Sequence, residues 1–482
     1  MLTGYLIILP LVIALAVFVL RDERLIKQIA LTGSLLEFVL SLFAVYIFLT
    51  KCHCNLLITL NWMKEMGVSL AFGVDGISLL MVLLTTFLTP IIILASWDHD
   101  YRSPSAFYEL ILLMEMAFVG VFTAMDGLVF YIFWEMALIP AYFIAALWGG
   151  KDRIRITFKF FIYTFIGSLF MLVALIYLYL HTVTPHSFHF YALYGAQISP
   201  EARFFIFLAF VVAFGIKIPI FPLHTWQPDT YAESPAGGTM LLSGIMLKMG
   251  IYGLIRLVIP ICPDPVKEWG IYVMIAAVVG IVYASVIAIR QHDLKRLVAW
   301  SSIAHVGLIT AGVFALNIQS LQGAVIQMVS HGINIVGLFI VIDIIEKRMG
   351  TRDIPSLGGI ARSAPVFAAF FMIILLGSIA LPLTNGFIGE FMLLLGIFGY
   401  DHWIAAFAGL TVILSAVYML RMYQRVMLGE TNEKTVLFKD LTRTEIIILT
   451  PIVIMIFWIG LFPGFFLHVT SPVIFELLSA VR

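Results

Sequence analysis

Long apolar runs alternate with short polar connectors along the whole chain. Uncharged runs of about 18 residues or more are the pattern of helices that cross a bilayer, whose hydrocarbon core is about 30 Å thick. Fourteen spans are expected, near 2–20, 28–49, 76–96, 106–125, 127–148, 157–180, 204–223, 236–258, 270–289, 297–316, 320–344, 366–399, 404–424 and 446–468. The pattern therefore predicts an all-α polytopic membrane protein. The first run, LTGYLIILPLVIALAVFVL, follows no basic stretch and has no small-residue cleavage site. It reads as a retained span, not a leader.

Two spans carry internal breakers. The twelfth would be about 51 Å long as one straight helix, well beyond the hydrocarbon thickness. ALPLTNGFIGEF in its middle supplies Pro382, Asn385, Gly386 and Gly389, so a break is expected there. The seventh holds Pro219 and Pro222 beside Lys217. The broken spans 7 and 12 lie five apart, an odd offset that gives them opposite orientations. This predicts two inverted five-helix repeats, spans 4–8 and 9–13, with breaks at matching positions, a pointer to a transporter site. The expected organisation is three N-terminal spans over 1–105, a first repeat over 106–258, a second over 259–426, and a loop with span 14 over 427–482.

Composition fits this picture: 62% of the residues are apolar and 12% charged, against about 25% charged in soluble domains. The formal net charge is zero, so nothing argues for nucleic acid, and three cysteines make no disulfide framework. Cys52-His53-Cys54 is either a metal-binding fragment or a plain loop. Of the 28 Lys and Arg residues, 20 fall in loops after odd-numbered spans and 6 in loops after even-numbered spans or at the C-terminus. Cytoplasmic loops are the basic ones, so both termini are expected outside, on the periplasmic side of a bacterial inner membrane.

The other two basic residues are Lys217 and Lys248, both within spans. A lysine at a helix centre costs roughly 2.5–3.5 kcal/mol on insertion scales, so it marks a functional site by default. Glu135, His305, His331 and Glu390 lie at similar depth, each on a different span. Such a set suits a lateral proton path across a bundle. Gln327, His331 and Asn334 share one helix face and can order water. A carboxylate 5 Å from a lysine contributes about 3.3 kcal/mol at an effective dielectric of 20, and doubling the separation halves it. Small movements between Glu135 and Lys217 can thus decide where a proton resides. Other readings stay open: Lys217 can snorkel, each His can be structural, and Glu390 can cap the amides freed by the break. No nucleotide loop, zinc spacing, haem or iron–sulfur motif is present in the sequence.

KIPIFPLHTWQPDTYAESPAGGTMLLSGIMLKMGIYGLIR over 217–256 resembles the signature of the proton-conducting antiporter-like family, and FYIFWEMALIP, DLKRLVAWSSIAHVG, SHGINIVGLF and NGFIGEF follow the family's order. That family holds the large membrane-arm subunits of respiratory complex I and of multisubunit sodium/proton antiporters. The Trp-Glu pair and SHGIN resemble the chain M group, subunit 4 in mitochondria. The resemblance implies a proton-translocating subunit of NADH:quinone oxidoreductase. It implies a proton pathway through Glu135, Lys217, His224, Lys248, His305, His331 and Glu390, with His224 near a cytoplasmic half-channel. It places NADH, FMN, iron–sulfur clusters and quinone in partner subunits, with no cofactor and no redox chemistry in this chain. Neighbouring antiporter-like subunits are the implied partners. The alternative is a subunit of a multisubunit Na+/H+ antiporter.

Overall fold

The computed structural model describes residues 2–50 and 56–481. The Cys52-His53-Cys54 segment lies outside them. Twelve helices among the described residues are long and apolar enough to cross a membrane. They are α1 (Leu2–Val19), α2 (Glu23–Thr50), α3 (Gly76–Ala95), α4 (Pro104–Thr123), α5 (Gly127–Trp148), α6 (Arg153–Leu180), Ala236–Ile261, Pro263–Arg290, Leu294–Phe314, Ile318–Met349, His402–Leu428 and Arg443–Leu461. Apolar side chains such as Val12, Phe18, Leu42, Phe158, Val173, Tyr272 and Ile413 are exposed along these helices. Backbone groups satisfied within helices and an apolar outer surface are what a lipid environment demands. The chain is an integral membrane protein.

The two expected spans missing from that set are the interrupted ones. The seventh is a helix over Pro200–Lys217, an irregular stretch through the Pro219 and Pro222 region, and a short helix over Gln227–Glu233. Proline donates no amide hydrogen, so the helix stops before the pair. The twelfth divides into Pro365–Ser378 and Asn385–Tyr400. The second half packs closely at its first turn: a Cβ on Gly386 would lie 2.2 Å from the Gly377 carbonyl oxygen.

Three features depart from the sequence reading. A two-stranded antiparallel hairpin, β1 (Ile58–Met63) and β2 (Val68–Phe72), interrupts the otherwise helical chain, pairing Thr59 with Ala71 and Leu60 with Leu70. Helix Arg443–Leu461 ends before the expected limit of span 14, and a further helix covers Gly464–Val481. Arg256, one of the six basic residues counted in loops after even-numbered spans or at the C-terminus, lies inside helix Ala236–Ile261 with its side chain 12% exposed. That helix contains two π-helical segments, Leu242–Met246 and Leu254–Val258.

The chain forms two compact units. The first comprises Met1–Ile218, Glu233–Ile271 and Val469–Arg482; the second comprises Pro219–Ala232 and Tyr272–His468. In the first, α4 packs against α1 and α5, and α6 packs against Pro200–Lys217. In the second, the long buried helix Ile318–Met349 packs against Asn385–Tyr400 and Leu294–Phe314. Helix starts are fixed by side-chain caps: Asp75 accepts from the Ile77 and Ser78 amides at 3.0 Å each, and Asp126 from Leu128 at 3.0 Å.

Candidate functional site

In the first unit the proline-enforced stop places Lys217 in the last turn of its helix, where unpaired carbonyls favour a cation. The side chain is 2% exposed, with Nζ 5.1 Å from the centroid of the Trp134 ring. Trp134 also meets Phe214 edge to face at 5.5 Å. The lysine thus rests on the negative face of an aromatic ring, an arrangement strengthened by desolvation. Glu135, the next residue along α5, interacts electrostatically with Lys217 and faces the Ser168 hydroxyl of α6. The two charges make no direct bond: Lys217 Nζ and Glu135 Oε1 both have no hydrogen-bond partner. The structure brings the pair within electrostatic range and leaves it open.

Lys248 is fully buried in the same unit. It lies between the two π-helical segments, and its Nζ donates to the Ser243 carbonyl at 2.6 Å. Widened turns of this kind recur at functional sites because they loosen the regular backbone pairing. Gly250, two residues on, allows a close approach: a Cβ there would lie 2.5 Å from Ile218 Cγ1 and 3.0 Å from the Phe214 oxygen. The helix bearing Lys248 is thereby packed against the end of the helix bearing Lys217.

In the second unit the structure joins three of the expected residues. His305 Nδ1 and Glu390 Oε1 are 2.8 Å apart, and Gln327 Nε2 donates to the same carboxylate oxygen at 3.2 Å. The His305 and His331 rings are 5.9 Å apart at their centroids. All four residues are at most 5% exposed. A small cavity of about 10 Å³, lined among others by Ser301, His305, Gln327, His331 and Asn334, has room for about one water. The helix break is clasped beside this cluster. The carboxamides of Asn334 and Asn385 bond reciprocally at 3.0 Å, and Ser330 Oγ donates to the Asn385 carbonyl at 3.1 Å. Glu390 follows one turn later, so the clasp sets where its carboxyl points.

His224 lies elsewhere in the second unit, 3% exposed and enclosed by the rings of Phe221, Tyr283 and Trp300 at 5.6, 5.3 and 5.5 Å. Two buried carboxyls were missed by the sequence reading. Glu37 of α2 and Glu115 of α4 are fully buried and electrostatically coupled, and Thr89 of α3 presents its hydroxyl to Glu115. A signal existed for Glu37, which shares one face of α2 with Ala30, Ser34, Ser41 and Ala44, a small and polar stripe unsuited to lipid. Among the described residues no group of three or more His, Cys, Asp and Glu is placed to hold a metal ion.

Residues 124–415 match the family described as NADH:quinone oxidoreductase/Mrp antiporter, transmembrane. The chain is 43% identical to NADH-quinone oxidoreductase subunit M of Rickettsia conorii over 415 residues, covering 85% of this chain and 83% of that protein. It is 36% identical to NADH-ubiquinone oxidoreductase chain 4 of Marchantia polymorpha over 468 residues, covering 96% and 94%. Its fold matches a chain of respiratory complex I from Thermus thermophilus with a TM-score of 0.92 at 32% identity, each covered in full. A chain of the Mrp complex from Dietzia matches in fold, with a TM-score of 0.84 at 19% identity, covering all of this chain and 52% of that one.

Proposed function

This chain belongs to the NADH:quinone oxidoreductase/Mrp antiporter membrane family, and we propose that it is the subunit M, or chain 4, type of proton-translocating subunit in a respiratory complex I. The observation that carries the reading is end-to-end likeness to one complex I chain, joined to a set of titratable groups buried in the helices. Its partners are the other membrane-arm subunits, including neighbouring antiporter-like ones. Redox cofactors and quinone belong to partner subunits, and this chain contributes proton movement to the oxidoreductase.

The proposed pathway uses Glu135, Lys217, His224, Lys248, His305, His331 and Glu390. Lys217 holds a proton over Trp134, and the open distance to Glu135 makes that hold sensitive to small displacements, because the Coulomb attraction scales inversely with separation. Lys248 stands at a loosened backbone where its amine bonds a carbonyl. His305 and Glu390 share a hydrogen across 2.8 Å, and Gln327 orients the carboxylate. Ordered water between polar side chains covers the distances that direct contacts leave. The proposed topology has fourteen spans in two inverted five-helix repeats, both termini outside, in a bacterial inner membrane.

The test is proton pumping by the purified complex in liposomes. Glu135→Gln and Lys217→Ala should each impair pumping while the complex assembles, and co-purification should recover flavin and iron–sulfur subunits. Wild-type pumping by an assembled Glu135→Gln complex would defeat the pathway. The second reading, a multisubunit Na+/H+ antiporter, draws on the Mrp fold likeness. It requires co-purification with small antiporter subunits and no redox subunits.

A further inference from the structure

A cavity of about 590 Å³ opens in the first unit among hairpin residues Thr59, Ala71 and Phe72, the segment His189–Tyr194, and Val473, Glu476 and Leu477 of the C-terminal helix. The proposed topology puts these segments outside. Asp75 and Arg256 form part of its lining. Arg256 lies eight residues after Lys248 on the same helix, about 12 Å along its axis. Tyr252 falls between them, and Lys248 and Tyr252 are spaced to share a helix face. A buried amine, a tyrosine and a charged pair therefore lead towards an open cavity, and a proton route along them would short-circuit the pump.

The hydrogen-bond directions oppose such a route. Arg256 Nη2 pairs with Asp75 Oδ2 and also donates to Ser78 Oγ at 3.3 Å. Its Nε donates to the Tyr252 hydroxyl oxygen at 3.2 Å. The Tyr252 hydrogen is committed to the Phe122 carbonyl at 2.9 Å, which leaves Ser78 Oγ as the donor to the Tyr252 oxygen across 2.9 Å. A proton relay needs groups that accept on one side and donate on the other. Guanidinium has five donors, no acceptor, and does not give up a proton in a protein. The Tyr252 hydroxyl ends on a backbone carbonyl. The Asp75 oxygens are taken by Arg256 and by the amides of Ile77 and Ser78. The inner member of the pair is the cation, with its side chain 12% exposed against 32% for Asp75. A proton arriving from the Lys248 side meets fixed positive charge first, the device by which an arginine excludes protons from a pore.

We propose that Arg256, held by Asp75, Ser78 and Tyr252, is a proton-excluding plug that separates Lys248 from the cavity. The proposal rests on the reading that Lys248 lies on a proton route. A plain structural staple between the start of α3 and helix Ala236–Ile261 would use the same ion pair, but its loss would cost assembly and would not create a leak.

The test is passive proton leak in liposomes containing the whole complex, with turnover stopped. The double variant Asp75→Asn/Arg256→Gln removes both charges and keeps side chains of similar size. An imposed pH gradient should collapse faster than with wild type, because carboxamides that both accept and donate replace a guanidinium that only donates. NADH-driven quinone reduction should persist and lose its stimulation by uncoupler. Arg256→Lys is the second variant. It keeps a charge near Asp75 but exchanges the fork for a group that can release a proton, and should leak to a smaller extent. Wild-type tightness in whichever of these complexes assembles overturns the plug. Adding Lys248→Ala to a leaking variant separates the two readings. Loss of the leak supports both, whereas an undiminished leak keeps the plug and removes Lys248 from the proton route.

Discussion

Glu390→Asp isolates distance from charge at the best-defined contact of the pathway. The carboxylate is retained, but one carbon–carbon bond is removed, drawing it back by about 1.3 Å. The 2.8 Å contact with His305 Nδ1 then opens to about 4 Å, beyond hydrogen-bond reach, and the 3.2 Å bond from Gln327 opens with it. A hydrogen bond to a charged group contributes about 1.5–3 kcal/mol, which is roughly 10–100-fold in the population of the bonded geometry. The deleted methylene costs only about 0.8 kcal/mol of burial, so assembly should survive while transfer suffers. The assay compares NADH oxidation with initial proton uptake in liposomes, read by a pH-sensitive dye. Glu390→Asp should pump roughly tenfold more slowly than wild type at a given redox capacity, and Glu390→Gln should block the step. Wild-type pumping by an assembled Glu390→Asp complex, with its carboxyl imaged beyond reach of His305 and no bridging water, would refute the reasoning.

Lys248→Ala should abolish pumping with assembly retained, and Lys248→Arg should not restore it, because a guanidinium does not release a proton; full pumping by either assembled variant counts against the role. Combining Glu135→Gln with Lys217→Ala should impair pumping by less than the sum of the single effects, since coupled sites are non-additive, and a loss equal to that sum would mean independent roles. Single cysteines placed in the hairpin and near the C-terminus should react with an impermeant reagent only from the outside, and cytoplasmic labelling at either place would sink the proposed topology.

The helix breaks were legible because their causes are local. Pro219, Pro222 and Pro382 lack amide hydrogens, and the effect needs no knowledge of neighbours. Burial was legible for Lys217, Lys248, His305, His331 and Glu390 for a similar reason, since each lies within a long apolar run. Glu37 and Glu115 were missed because what couples them is a contact between two helices far apart in sequence. Arg256 was misplaced because a charge near the end of a run looks like a loop, while its partner Asp75 is 181 positions away. The π-helical segments have no composition of their own. They show only when Lys248 and Gly250 are seen against the elements they pack on.

The Glu135–Lys217 pair shows where sequence reasoning stops. Trp134 and Glu135 are consecutive, and consecutive helical residues point in different directions. Only one of them can lie directly against the end of helix Pro200–Lys217, and the structure gives that place to Trp134. The consequence is functional. A direct salt bridge would pin the lysine charge, whereas an aromatic face supports a cation by about 2 kcal/mol or more when desolvated without supplying a proton acceptor. Glu135, held off and facing Ser168, adds attraction that changes steeply as the helices shift. If the site worked by a fixed ion pair, Trp134→Leu would have little effect on pumping. If the ring holds the charged lysine while the carboxylate modulates it, Trp134→Leu should reduce pumping in an assembled complex even though both charged residues are intact.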